Sequence, residues 1–221
     1  KIASFGCGVD SVAGILHYGI DSYDEIIFAD TGSEKPETYD YLEYLINDKK
    51  WPITVVKGKL GVLYDYYFKK KIYPTPFFRD CTKKFKIQPI RNYLRKKYGK
   101  KEFFEMSIFI DHSEFHRAKG GSDVQYQKLV YPLVYDKITR EECIKIITDS
   151  NYLVPLKSGC FMCPFTNKKR WAELKVKHPD LFKKALELEQ SYKPKVKIRK
   201  LHPLISLKAK ETPTLYECGC F

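Results

Sequence analysis

Apolar and polar positions alternate along this chain in two registers, and the switch between them marks the elements. Residues 2–5, IASF, form a short apolar run; a glycine-bearing turn follows, and then SVAGILHYG at helical spacing. The sequence EIIFAD reads as a second strand, TGSEKP as a loop, ETYDYLEYLIND as a helix and PITVVKG as a third strand. From Leu60 to Lys101 the pattern is mostly helical, interrupted by YPTPFFRDC, whose prolines predict a loop. EFFEMSIFI reads as another buried strand and DHSEFHRAKGGSD as the polar loop after it. TREECIKIITDS predicts a helix with Thr139 as its cap and Glu142 in the reciprocal capping position. Beyond Asn151 come a tight cysteine loop, VPLKSGCFMCPF, and the helical pattern of NKKRWAELKVKHPDLFKKALELEQ. The tail from Lys193 has no strong periodicity.

Alternating strand and helix signals predict an α/β fold with a doubly wound, mostly parallel sheet and a helical, cysteine-bearing C-terminal part. The expected division is 1–150 for the α/β unit and 151–221 for the cysteine-bearing region, packed on it as one compact body. In such sheets ligands bind at the carboxyl ends of the strands.

Composition narrows the partners. The chain has 221 residues, 43% hydrophobic, enough to bury a full core. Forty Lys and Arg against 27 Asp and Glu give a net charge of +13, which favours a polyanion such as nucleic acid. No apolar run approaches a membrane span and no signal peptide is recognisable, so no membrane partner is expected and a cytoplasmic location is. The first residue is Lys rather than Met, so the sequence is expected to start inside a slightly longer gene product. Seven cysteines, an odd count in a chain expected to stay reduced, favour metal binding or thiol chemistry over disulfides.

The turn Ser4-Phe5-Gly6-Cys7-Gly8-Val9-Asp10-Ser11 carries the first candidate chemistry. Glycines between a strand and a helix let backbone N–H groups approach phosphate oxygens, and the helix start adds partial positive charge. The plain alternative is a strand-to-helix turn capped by Ser11 or Asp10. No Gly-Lys-Ser/Thr follows, and the spacing is not GxGxxG.

The turn resembles the SGGxDS loop of the PP-loop ATP pyrophosphatases, or adenine nucleotide α-hydrolases, with Phe5 in place of the first glycine and Cys7 as an unusual neighbour. FADTGSEKPETYDYL is similar to the DTG…PETY segment of phosphoadenylylsulfate reductases and their sulfur-inserting relatives. RDCTKKFKIQPI is similar to their CTxxxKxxP box, and IDHSEFHR, with Glu114 and Arg117, and PLKSGCFMCPF are similar to later segments. The resemblance implies a Rossmann-like fold. It also implies an ATP site in which Ser4, Gly6, Gly8, Asp10 and Ser11 surround phosphates, with Asp10 close to Mg²⁺. Asp30 and Thr31 would lie near the nucleotide, a strand-end cap being the other reading of Asp30. Lys86 and Arg117 would neutralise charge on the transferred group, while Lys83 and Lys84 read as solvated.

Cys160 and Cys163 form a CxxC in a Gly- and Pro-flanked loop, compatible with zinc, redox chemistry or an iron–sulfur cluster. By resemblance to the iron–sulfur sulfonucleotide reductases, Cys81 joins them, with Cys218 or Cys220 as a fourth ligand of a 4Fe-4S cluster. With three ligands only, one iron stays open to sulfide. A four-cysteine structural zinc is the alternative. Cys143 reads as a small buried hydrophobe, and Cys7 as either a reactive thiol or a space-filler. KKRW, RNYLRKKYGKK and KPKVKIRK interleave basic and aromatic residues, as phosphate contacts and base stacking require.

Three functions follow. The first is an ATP pyrophosphatase that adenylates a nucleic-acid oxygen for replacement by sulfur. It is closest to the enzyme of DNA phosphorothioation, with a cysteine desulfurase as sulfur donor; transfer-RNA thiolation is its neighbour. The second is a sulfonucleotide reductase with Cys218 of YECGCF as nucleophile. The third is a basic nucleic-acid-binding module with a structural zinc. Pairing with a second copy of the chain is left open.

Overall fold

A computed structural model describes residues 1–74, 80–118 and 126–191. Five strands, β1 (Ile2–Phe5), β2 (Glu25–Asp30), β3 (Ile53–Lys57), β4 (Phe104–Ile108) and β5 (Gln127–Val130), make one sheet in the order β3-β2-β1-β4-β5. Every pairing is parallel, with Ile2 opposite both Glu25 and Met106. This is the α/β Rossmann-like architecture expected from the alternation of apolar runs and helices. Winding runs outward from β1 to β3 and then returns to β4 on the other side of β1. The order therefore reverses between β1 and β4, where parallel sheets open a crevice.

The helices are α1 (Val9–Tyr18), α2 (Pro36–Asn47), α3 (Leu63–Lys70), α4 (Asp80–Thr82), α5 (Gln88–Tyr98), α6 (Pro132–Tyr135), α7 (Arg140–Asp149), α8 (Lys168–Lys177) and α9 (Pro179–Ser191). A π turn, Lys83–Ile87, joins α4 to α5. A 3₁₀ segment, His112–Arg117, occupies the polar loop after β4. Local chemistry sets several boundaries. The Gly8 N–H donates to the Ser11 Oγ, which donates back to the Gly8 carbonyl, starting α1. Thr139 and Glu142 form the reciprocal cap of α7. The Asn167 side chain accepts the Arg170 N–H and opens α8.

Both sheet faces are covered, as a parallel sheet requires. On one, α1, α2 and α7 pack Val12, Ile15, Leu45 and Ile147 around Phe5, Ile26 and Phe28. On the other, Ile90 and Leu94 of α5 cover Ile2, Ile27 and Met106. A third cluster, with Tyr67, Phe85, Met162, Trp171 and Leu188, ties α3, the π turn, the cysteine loop, α8 and α9 together. No helix of the described residues is long and apolar enough to cross a membrane.

Two expectations change. The helical pattern from Asn167 to Gln190 breaks at His178, because Pro179 has no N–H to continue a helix and restricts the residue before it. Strand β5 has no counterpart in the sequence reading: it is four residues long and only half-buried, so no apolar alternation announces it.

Candidate functional site

The carboxyl ends of β1 and β4 open onto a cavity of about 680 Å³, a volume that suits a nucleotide. Ser4, Gly6, Gly8, Asp10 and Ser11 line it, together with Lys86 and Arg117. The β1–α1 turn takes its shape from Cys7, the non-glycine residue with φ of 55°. The thiol of Cys7 is 1% exposed and lies 3.5 Å from the Thr38 carbonyl, outside the cavity lining. Burial, helped by Glu34, pushes its pKa up to about 12, so the space-filling reading describes it and the reactive one does not.

The cavity wall opposite the turn comes from the cysteine-bearing part. Lys157, Ser158, Gly159 and Arg170 all line it. The 157–159 loop lies against the turn, so that a Cβ on Gly8 would stand 2.8 Å from the Ser158 Oγ and make that hydroxyl rotate aside.

Three carboxylates converge beside the turn. Asp10, Asp111 and Glu114 each offer an oxygen, and the three lie within 4.8 Å of one another. Asp111 stands three residues beyond the end of β4 and accepts the Ser113 N–H at 2.9 Å. Asp10 is bound by Arg140 at the start of α7, and Glu114 by Arg117. Burial raises the Asp10 pKa, the Asp111 and Glu114 charges add to the rise, and Arg140 opposes it. Hard carboxylate oxygens beside a phosphate-sized opening are the donor set that Mg²⁺ takes, so these residues fit that ion.

Asp30 and Thr31, expected by resemblance near the nucleotide, stand just beyond the cavity lining. Neither is among the cavity-lining residues, although Ala29 is. Asp30 accepts the Gly32 N–H at 2.8 Å and the Tyr39 hydroxyl at 2.7 Å, and pairs with Lys57 at 3.3 Å. Burial raises its pKa, but those partners outweigh it and the net shift is downward. Thr31 is buried, with its Oγ1 accepting from the Ser33 N–H and donating to Glu34. These two side chains shape the β2–α2 loop.

That loop holds the cysteines. Glu34 bridges to Cys160, and the Phe161 N–H donates to the Ser33 carbonyl at 3.0 Å. The Cys160 thiol donates to Cys163, which lowers Cys163 and raises Cys160; burial raises Cys81, and Cys163 adds to that rise. Lys86 sits 3.0 Å from Glu34. Burial pulls the Lys86 ammonium down, but Glu34, Cys160 and Cys81 outweigh it and raise its pKa. The three sulfurs are not drawn together as the three carboxylates are. Cys163 is close enough to Cys81 and Cys160 to act on both, a soft donor set that fits zinc or an iron–sulfur cluster alike. Cys218 and Cys220 lie outside the described residues.

Asp111, Arg140, Lys157 and Ser158 were not singled out from sequence, whereas Arg170 belongs to KKRW, one of the basic-aromatic segments. Asp111 carried a signal, since it ends a predicted strand at the edge where ligands bind. The others carried none: Arg140 opens an ordinary capped helix, and Lys157 sits among many exposed cations.

Residues 2–104 match the family model described as phosphoadenosine phosphosulfate reductase domain, consistent with the PP-loop or adenine nucleotide α-hydrolase superfamily. A domain of that description suggests a nucleotide-utilising enzyme. An uncharacterized protein of Methanocaldococcus jannaschii is 27% identical over 199 residues, covering 84% of this chain and 46% of the relative. The chain thus spans about half the length of that curated relative.

Proposed function

We propose that this protein is an ATP pyrophosphatase that adenylates an oxygen of a nucleic acid so that sulfur can replace it, with DNA phosphorothioation as the foremost setting and transfer-RNA thiolation as its neighbour. One observation carries the reading. Lys86 lines the cavity at the glycine turn, yet lies close enough to Cys160 and Cys81 for their charges to act on one another. Nucleotide chemistry and thiols thus meet at one side chain.

The chain's own groups account for the first half of the reaction. The start of α1 and the turn around Gly6 and Gly8 receive phosphate oxygens. Arg140, Lys157 and Arg170 line the same cavity and stabilise negative charge as the acceptor oxygen attacks the α-phosphate, the α–β bridging P–O bond breaks and pyrophosphate leaves. Asp10, Asp111 and Glu114 would hold Mg²⁺, which neutralises charge on the departing pyrophosphate when bound. Cys81, Cys160 and Cys163 would hold an iron–sulfur cluster, with Cys218 or Cys220 as a further ligand, and that group supplies the sulfur. A cysteine desulfurase is the donor proposed to replenish it. Lys86 and Arg117 would neutralise charge on the transferred group.

The test is anaerobic purification with iron, sulfide and zinc analysis, followed by pyrophosphate release from ATP with and without DNA or transfer RNA. Asp10→Ala is expected to abolish release while leaving iron content intact. Stoichiometric zinc with no nucleotide turnover would refute the proposal. A sulfonucleotide reductase is a second reading, favoured by the description of the matching family. Sulfite formed from a sulfonucleotide without ATP cleavage would establish it instead.

A further inference from the structure

A second depression of about 820 Å³ lies outside the nucleotide cavity, between the exposed end of edge strand β3 and the segment from α4 to α5. Lys57, Lys59, Lys83, Lys84 and Lys96 line it. Its floor includes Val55 and Leu60, which are 42% and 47% exposed, and Tyr93 closes one side. Asp80 is the single carboxylate among its lining residues, and it is already held by Lys84 and the Tyr67 hydroxyl. Lys57 is paired with Asp30. Among the described residues no carboxylate lies within ion-pairing distance of Lys59, Lys83 or Lys96.

We infer that this groove is the binding site for a single-stranded segment of nucleic acid, its phosphates on the lysines and its sugars and bases on the apolar floor. The inference rests on the proposed reading in which a nucleic acid is the acceptor. Charge complementarity favours this occupant. A groove with uncompensated ammonium groups over an apolar floor matches a chain of phosphates linked by apolar faces, and an aromatic side chain at the wall offers a stacking surface. A protein partner with an apolar face would leave the lysines unmatched, and a small anion would leave the floor uncovered.

Position adds a second argument. The π turn and α5 form the partition between the two depressions. Lys86 and Ile90 line the nucleotide cavity, while Lys83, Lys84, Pro89 and Tyr93 line the groove. Asp30 and Lys57 are register partners at the ends of β2 and β3, so the groove opens at the same carboxyl edge of the sheet as the cavity. A strand lying in the groove needs only to pass over this partition to present an oxygen to the nucleotide.

The test uses the intact protein and a fluorescent single-stranded DNA oligonucleotide, with a transfer RNA as second probe. Anisotropy is measured across a salt series, beside ATP affinity and a thermal melt. In Lys59→Gln/Lys83→Gln/Lys96→Gln, the slope of log affinity against log salt is expected to fall by about 2, at about 0.7 per lost phosphate contact. Affinity near physiological salt should drop at least about tenfold, with ATP affinity unchanged. Lys145→Gln/Lys183→Gln, on α7 and α9, should keep the wild-type slope. If the triple variant melts early or loses ATP binding, Lys83→Gln and Lys96→Gln singly must each lower the slope. Wild-type slope and affinity in the groove variants would overturn this assignment and leave the acceptor reading standing. Binding of neither probe by the wild-type protein would overturn both.

Discussion

Replacing Asp111 with Asn tests whether the carboxylate cluster is built for a divalent cation. Asp111 is 4% exposed, and its oxygen lies within 4.8 Å of one on Asp10. Two like charges at that separation repel by about 3.5 kcal/mol at an effective dielectric of about 20. Arg140, bound to Asp10, and solvent at the cavity mouth offset part of this, leaving about 1–2 kcal/mol of net strain in the metal-free protein. Asn keeps the cap on the 3₁₀ segment, because its side-chain oxygen still accepts the Ser113 N–H. The variant is therefore expected to melt about 2–8 °C above wild type without metal, at roughly 2–4 °C per kcal/mol for a chain of this size. Mg²⁺ should act in the opposite sense. A ligand at a hundred times its dissociation constant stabilises by about 2.7 kcal/mol, and the variant should show less than about half of the wild-type increment at the same Mg²⁺ concentration. Melts by circular dichroism across a Mg²⁺ series in nucleotide-free buffer read both quantities. A variant that melts below wild type without metal, yet gains as much from Mg²⁺, would refute the reasoning.

Three further outcomes are expected. Gly8→Ala should leave the melting temperature within about 2–4 °C of wild type, because its methyl meets only the Ser158 hydroxyl, which one side-chain rotation moves aside; a larger loss in a thermal melt would mean that the turn itself is damaged. Cys7 and Cys143, both with pKa pushed up to about 12 by burial, should alkylate in the native protein at least about 10³-fold more slowly than in urea, as site-resolved mass spectrometry at mildly alkaline pH would show. Asp30→Asn should cost about 1 kcal/mol at neutral pH through loss of the Lys57 pair. Since the Asp30 pKa is depressed below its ordinary 3.8, that contribution is present above this value and is lost as pH falls through the lower folded value, so the urea midpoints of variant and wild type should converge in acid.

The sequence by itself determined the elements whose causes are local. EIIFAD is apolar at its four central positions because β2 is covered on both faces, and that run is legible without a fold. Thr139 and Glu142 meet because they are three residues apart, and the glycine turn opens α1 because the chain must bend there. From those elements the parallel, doubly wound sheet follows, and with it the edge where a ligand binds.

Only the tertiary structure decided which side chains share that edge. Asp10 and Arg140 are 130 positions apart, and no periodicity links a turn residue to the first residue of a distant helix. Lys157 looks like any exposed cation until the cysteine loop, tied through backbone hydrogen bonds to Ser33 and Lys35, carries it to the cavity. Asp30 is held by three partners within 3.3 Å, and Cys7, at a φ of 55°, is buried in the core. Helix caps and strand patterns are set within a few residues by steric fit and hydrogen bonding. A charge-lined cavity is set by which ends of distant elements the sheet order makes neighbours, and that order is a property of the packed chain.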